Sequence, residues 1–233
     1  MNQVPTFAHT GDLGDVIASL PIVRALGGGH YVCFNRPKGC RESLRGLRYE
    51  ALEPLLKAQP YIESVRWSDT VVHPDHDFST FRHDHIDHEN LIQWQARHIG
   101  VSVSETPWII ANPSPKTKGR VLFARSQRYH NPKFPWDKII QRFKDPLFIG
   151  LPSEYMAFQT KWGKPLESYM AENLLELAEL IAGCELLVCN QSCPYWLAAA
   201  VGAPVWQETW PDDMNSIVER DNARFCLNGT FHV

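Results

Sequence analysis

The stretch AELIAGCELLVCNQSCPYWLAAAVGAPVW, residues 178–206, constrains the fold of this chain more than any other. It reads as a helix end, a short apolar strand, a polar loop, a helix of small residues and a second apolar strand. A run such as ELLVC, too short for a helix and bounded by turn residues, suits a strand buried on both faces. Two such strands joined through a helix form a crossover unit, which requires a parallel sheet with helices packed on it.

The same alternation fills the rest of the chain. VPTFAH reads as a strand, GDLGD as a turn, and VIASLPIVRAL as a helix that GGG at 27–29 stops. HYVCF and IESVRW are strands, with helical material in ESLRGLRYEALEPLLKAQ between them. Residues 68–90 are polar and aperiodic and read as a long loop, leading into a helix at HENLIQWQARHI. ANPSPKTKG, 111–119, is a Pro- and Lys-bearing link that marks a domain boundary. Beyond it RVLFA, PLFIG, ELLVC and APVWQE read as strands, and PWDKIIQRF, SEYMAFQTKW, AENLLELAELIAG and PYWLAAAVG as helices. A last helix near MNSIVERD and a strand at RFCL end the chain. The expected fold class is α/β, with two Rossmann-like doubly wound units, 1–111 and 118–233, facing a cleft. Ligands of such sheets gather beyond the carboxyl ends of the strands. The loops to examine are therefore HTGDLGD, ARSQRYHNPK, GLPSEY and CNQSCP.

Composition narrows the class. With 44% hydrophobic and 21% charged residues the chain is ordinary for a globular protein. No run approaches the ~20 apolar residues of a membrane helix, and MNQVPTFAHTGD lacks the basic-then-apolar pattern of a signal peptide. A net charge of −3 gives no broad electrostatic case for nucleic acid or anionic membrane. The six cysteines form no CxxC pair and read as reduced thiols of a cytoplasmic protein.

Four segments, in order, carry a resemblance. GDLGDVIASLPIVRAL, NPKFPWDKII, LFIGLPSEY and LIAGCELLVCNQSCPYWLAAAVGAPV resemble the corresponding segments of the heptosyltransferase-like glycosyltransferases, which have the GT-B fold. The first and last are the most specific. The resemblance implies transfer of a sugar from a nucleotide-diphosphate donor to an acceptor hydroxyl, with inversion. It implies no essential metal or other cofactor, the nucleotide sugar being a co-substrate. The donor would lie mainly on the second domain and the acceptor on the first.

Sugar transfer needs a base for the acceptor hydroxyl, and by resemblance that base is Asp15, with Asp12 as the alternative in the same loop. Gly11 and Gly14 would permit positive φ and close approach by a ligand. Lys133 matches a diphosphate contact, with Arg125 and Arg128 as nearby alternatives. Glu154, beyond PLFIG, could accept hydrogen bonds from a ribose. Asn190, Gln191, Ser192 and Cys193 form a loop that opens a helix, whose backbone N–H groups can receive an anion, and Pro194 suits that helix's first turn. Each residue also has a plainer reading: Asp15 and Ser192 as helix caps, Lys133 as a surface lysine, Glu154 as a first-turn carboxylate. Gln191 and Cys193 replace the family's usual Asp and Gly, and Trp196 stands where a His is common. These departures open a second reading, a non-catalytic nucleotide- or glycan-binding protein.

His73, His76, His83, His85 and His88 crowd together with Asp75, Asp77, Asp84 and Asp87. They read as a polar, acceptor-facing loop or, in a third reading, as part of a metal-dependent hydrolase. The acceptor class stays open among a saccharide, a glycolipid, a protein and a modified nucleic-acid base.

Overall fold

The computed structural model describes residues 4–34, 46–70, 72–84, 89–104 and 107–232, and only the backbone of 83 and 84. Two compact units result. Unit 1 runs to Ile110 and includes Asn173–Leu175; unit 2 holds Ala111–Glu172 and the chain from Glu176 on.

Unit 1 is built from β1 (Thr6–His9), α1 (Leu13–Ala25), β2 (Gly29–Phe34), α2 (Leu47–Lys57), β3 (Ile62–Ser68), β4 (His76–Asp77), a 3-10 helix at Phe78–Asp84 and α3 (Leu91–Ile99). Its sheet has the order β3-β2-β1-β4 and is parallel throughout. The chain leaves β1 toward β2 on one side and returns to β4 on the other, so the carboxyl end of β1 is a topological switch point. Helix α1 is buried continuously from Asp15 to Val23, which is why its sequence shows no polar stripe. Pro21 lies inside it and cannot donate to the Ile17 carbonyl four residues back. The Trp108 indole N–H takes that acceptor instead, at 2.9 Å.

The long loop expected over 68–90 is corrected by β4 and the 3-10 helix. Strand β4 spans only two residues, too few for alternation to register. Two apolar residues of the segment, Phe78 and Phe81, are core.

Unit 2 contains a 3-10 turn at Pro115–Thr117, β5 (Val121–Ala124), α4 (Trp136–Arg142), β6 (Leu147–Ile149), α5 (Pro152–Trp162), β7 (Glu167–Tyr169), all but the first two residues of α6 (Leu174–Gly183), β8 (Leu186–Asn190), α7 (Cys193–Val201), β9 (Val205–Glu208), β10 (Ala223–Leu227) and β11 (Thr230–His232). The sheet order is β11-β10-β9-β8-β5-β6-β7. All pairs are parallel except β10 with β11. Counted from β5, the six parallel strands follow 3-2-1-4-5-6, the order of dinucleotide-binding sheets. Right-handed crossovers that run outward in both directions put helices on both faces. The switch point lies between β5 and β8, where Ala124 pairs with Cys189.

An aromatic cluster fixes α4 and α5 on this sheet. Phe158 lies 5.2 Å from Phe148, 5.2 Å from Trp136 and 4.5 Å from Trp162, ring to ring. Each such pair contributes roughly 0.5–1.5 kcal/mol beyond simple burial. Strands β7 and β11 were not expected from sequence; β7 is a largely exposed edge strand without an apolar run. The helix expected near MNSIVERD does not form. Side chains take its polar groups: Tyr195 Oη accepts the Val218 N–H at 3.0 Å, and Gln207 Nε2 donates to Ser216 Oγ at 2.7 Å. No helix among the described residues is long and apolar enough to cross a membrane.

Candidate functional site

In unit 1 the polar residues gather where the switch-point argument places a ligand. His9 ends β1, and the turn through Gly11 starts α1 with Asp12 as its N-cap. The Asp12 N–H donates to Asp15 Oδ2 at 3.1 Å, one half of a capping box. Asp12 itself faces Arg48, 3.6 Å away. Asp15 is buried. Arg82, on the 3-10 helix, donates from Nη2 to Oδ1 at 2.7 Å and to Oδ2 at 2.8 Å. From α3, Gln95 Nε2 donates to the Asp15 backbone carbonyl at 3.0 Å. The helix-cap reading of Asp15 is thus seen directly, in its bond from the Asp12 N–H.

The turn glycines act differently from the expectation. Neither Gly11 nor Gly14 has positive φ. Gly11 is required by space: a Cβ there would stand 2.4 Å from His9 Cε1 and 2.7 Å from Asp15 Oδ2. The close approach is made by the protein's own side chains. Gly14 is simply the second residue of α1.

His9 is fully buried, stacked on Phe78 at 5.9 Å and edge-on to Phe81 at 6.0 Å. Burial lowers its pKa from 6.5 to about 4; the Asp15 and Asp77 carboxylates and the Gln95 side chain oppose the fall, and Arg82 adds to it. The imidazole is therefore neutral at physiological pH. Sequence reasoning passed over His9, Arg82 and Gln95. His9 carried a usable signal, a polar residue at the carboxyl end of a predicted buried strand.

The His- and Asp-rich segment divides into local uses. Asp75 Oδ2 accepts the Thr6 N–H at 2.7 Å, His76 stacks on Phe7 at 5.0 Å, and Asp77 Oδ1 accepts the Ser79 N–H at 2.7 Å. His73 is exposed. The side chain of His83, and His85 altogether, lie outside the described residues. Among the described residues no three His, Cys, Asp or Glu side chains form a group able to hold a metal ion.

In unit 2 the loop after β5 is folded over the end of β9 by one carboxylate. Glu208, completely buried, accepts from Arg125 Nε at 2.7 Å and Nη2 at 2.9 Å, from the Asn131 N–H at 2.8 Å and from Trp136 Nε1 at 2.8 Å. Arg125, an alternative diphosphate contact in the sequence reading, has its guanidinium bonded to Glu208 and stacked over Trp162 at 5.0 Å. Arg128 is exposed, with its guanidinium 5.1 Å from the Tyr129 ring centre. Lys133 is exposed and donates to Asn228 Oδ1 at 3.2 Å.

Two of the residues expected to meet a donor are tied internally. Asn190, at the end of β8, accepts the Ser126 N–H at 2.9 Å and donates to Ser126 Oγ at 2.9 Å, so it joins the two loops of the switch point. Gln191 Nε2 donates to the Asp213 carbonyl at 2.6 Å and to Asn215 Oδ1 at 3.1 Å, anchoring the loop after β9. Ser192 is the N-cap residue of α7, but its hydroxyl donates back to Asn190 Oδ1 at 3.1 Å and accepts no N–H of the helix. The first turn of α7 is thus left without a side-chain cap, with Pro194 in that turn as expected. The Cys193 thiol is pushed up to about 12 by burial, with the charge of Glu154 adding to the shift, so it stays a thiol. Glu154 Oε2 accepts the Leu151 N–H at 2.9 Å, and burial raises its pKa. Trp196 is core.

No protein-family model matches the sequence, and neither does any curated protein. Solved structures do. The chain resembles E. coli heptosyltransferase WaaC, solved with ADP-2-deoxy-2-fluoro heptose, with a TM-score of 0.61 and 13% identity over 95% of this chain and 92% of that one. It resembles the glycosyl transferase family 9 protein of Veillonella parvula with a TM-score of 0.63 and 14% identity, over 97% and 88% of the two chains. For E. coli ADP-heptose LPS heptosyltransferase II the values are 0.59 and 14%, over 95% and 90%. Together with the strand orders of its two sheets, these matches establish that the chain has the fold of the heptosyltransferase-like, GT-B glycosyltransferases.

Proposed function

We propose that this protein is a glycosyltransferase that moves a sugar from a nucleotide-diphosphate donor to an acceptor hydroxyl, with Asp15 as the general base. The observation that carries the reading is the position of Asp15: a buried carboxylate at the carboxyl end of β1, the switch point of unit 1, in a chain with the heptosyltransferase fold. A base within hydrogen-bond reach of the acceptor hydroxyl removes its proton as the C–O bond forms and the nucleoside diphosphate leaves. With one base and no covalent nucleophile, the anomeric centre inverts.

Unit 2 would hold the donor at its own switch point. The uncapped first turn of α7 suits the diphosphate, the exposed Lys133 can neutralise the leaving charge, and Glu154, beyond the second strand of the unit, can accept from the ribose. No metal enters this scheme. The WaaC structure contains an ADP-linked sugar analogue, so ADP-sugars are the first donors to try. The acceptor belongs to unit 1, beside Asp15, and a saccharide hydroxyl is its proposed chemistry. The test is to incubate the protein with ADP-, UDP-, GDP- and CDP-sugars and a panel of saccharides, with chelator present, and to follow nucleoside diphosphate release. Release that Asp15→Asn abolishes supports the reading; release that Asp15→Asn leaves intact defeats the base assignment.

One observation favours a second reading. Arg125, Asn190 and Gln191 are all engaged in internal bonds, and Arg82 covers Asp15. A protein that only binds a nucleotide or glycan would show saturable binding with no release of nucleoside diphosphate under any condition.

A further inference from the structure

Two buried polar atoms beside Asp15 have no role in the scheme above. Among the described residues His9 Nε2 and Gln95 Oε1 both lie in the interior without a hydrogen-bond partner, and each residue is 0% exposed. The other polar atoms of these side chains are engaged. His9 Nδ1 accepts the Gly11 N–H at 2.8 Å, which puts the proton of the neutral ring on Nε2. Gln95 Nε2 donates to the Asp15 carbonyl, which leaves Oε1 as an acceptor. The two open atoms are therefore a donor and an acceptor, and the Gln95 side chain is near enough to the imidazole to oppose the fall of its pKa. Burying either alone is costly; a bond between them, direct or through one water, would satisfy both.

We infer that His9 and Gln95 are positioning residues for Asp15, a buried bracket that runs from the Gly11 amide to the Asp15 carbonyl and fixes where the carboxylate points. The inference rests on Asp15 being the functional carboxylate. Contact transmits the restraint. The ring of His9 is wedged by Phe78 and Phe81, and the space at Gly11 is closed by His9 Cε1 on one side and Asp15 Oδ2 on the other. A ring displaced from this position drags the turn, and the carboxylate moves with it. A neutral imidazole performs this task without competing with Arg82 for the carboxylate, and burial keeps it neutral beside the charges that face it, Asp15, Arg82 and Asp77.

NMR on the full chain tests the bracket independently of turnover. With labelled histidine, one imidazole is expected to stay neutral from pH 8 to about 5.5 with its proton on Nε2. Gln95→Met should shift that Nε2 signal, the Gly11 amide and the Asp15 carboxyl carbon, while melting stays cooperative and unit 2 signals stay in place. His9→Leu should shift the Gly11 amide, and His9→Asn, which restores an acceptor, should return it. A proton on Nδ1, or Gln95→Met signals at Gly11 and Asp15 that match the parent, overturns the inference. In turnover, Gln95→Met should lower kcat about tenfold with the donor KM unchanged, since a small misplacement of a base costs rate and not donor binding; unchanged kcat overturns the positioning role. A parent protein that turns over no donor defeats the base assignment, whereas the bracket is then decided by the Gly11 and Asp15 signals.

Discussion

Arg82 closes over Asp15: one guanidinium nitrogen bonds both oxygens, and the carboxylate side chain is 5% exposed beneath an arginine side chain that is 49% exposed. With Arg82 and the Asp12 N–H in place, little of the carboxylate's acceptor capacity remains. In the proposed scheme, turnover through Asp15 therefore requires Arg82 to give up a contact.

Asp15→Asn keeps the shape of the side chain and an oxygen for the Asp12 N–H but removes the base. Transfer should fall by about 10²–10⁴-fold, with nucleotide affinity unchanged because unit 2 is untouched. Titration calorimetry with the nucleoside diphosphate and a steady-state rate measurement check the two halves separately.

Arg82→Met leaves a buried carboxylate with fewer partners. Hydrogen bonds to a charged group contribute about 1.5–3 kcal/mol, and exposure of the guanidinium places this pair toward the lower end. Urea unfolding should show a loss of about 1–2 kcal/mol. Raising the salt concentration should narrow the gap between the two proteins, because the exposed partner is screened.

Gly11→Ala tests the packing of the turn. The backbone there suits any residue, so the cost is steric and comes from His9 and Asp15. Overpacking of this kind costs about 1–3 kcal/mol, read as a lower melting temperature. An alanine variant as stable as the parent would show that the turn is looser than the distances imply.

In unit 2 the corresponding test is Glu208→Gln. It leaves the buried Arg125 charge without its carboxylate, and breaking such a pair costs about 3–5 kcal/mol. Removing both charges, as Arg125→Met with Glu208→Leu, should recover only part of this. The Asn131 N–H and the Trp136 indole would still lack their acceptor, at about 1–3 kcal/mol each. Full recovery in the double variant would mean that these two bonds contribute little.

The sequence announces its strands and helices where local patterns suffice. GDLGDVIASL and ELLVCNQSCPYW each mark a strand end, a turn and a helix start, and both turns lie at switch points. Contacts across long separations were not legible. Arg82 reaches Asp15 across 67 residues, and Arg125 reaches Glu208 across 83; no local period encodes either. Gln191 shows as a departure from a motif, but its role depends on Asp213 and Asn215 in a loop read from sequence as a helix. His9 and Glu208 were more accessible. Both end predicted apolar strands, VPTFAH and APVWQE, on the carboxyl side of the sheet where ligands and their supporting residues collect.

The acid limb of stability should report His9. Its pKa is about 4 in the folded protein against 6.5 as the ordinary value. Between those values the unfolded chain binds more protons than the folded one, so stability falls as pH drops through the window. The full effect is about 3 kcal/mol, reached below pH ~4. Glu154 acts in the opposite sense: burial raises its folded pKa above 4.5, so its contribution is present in acid and is lost as pH rises through that folded value. Comparing the parent with His9→Asn isolates the histidine, because every carboxylate is common to both and the asparagine cannot titrate. Urea midpoints at pH 7, 5.5 and 4 should show the two proteins converging by about 3 kcal/mol toward acid. A stability difference that stays constant from pH 7 to 4 would mean that His9 takes up its proton as readily in the folded protein as in the unfolded chain, and that it is not held neutral beside Asp15.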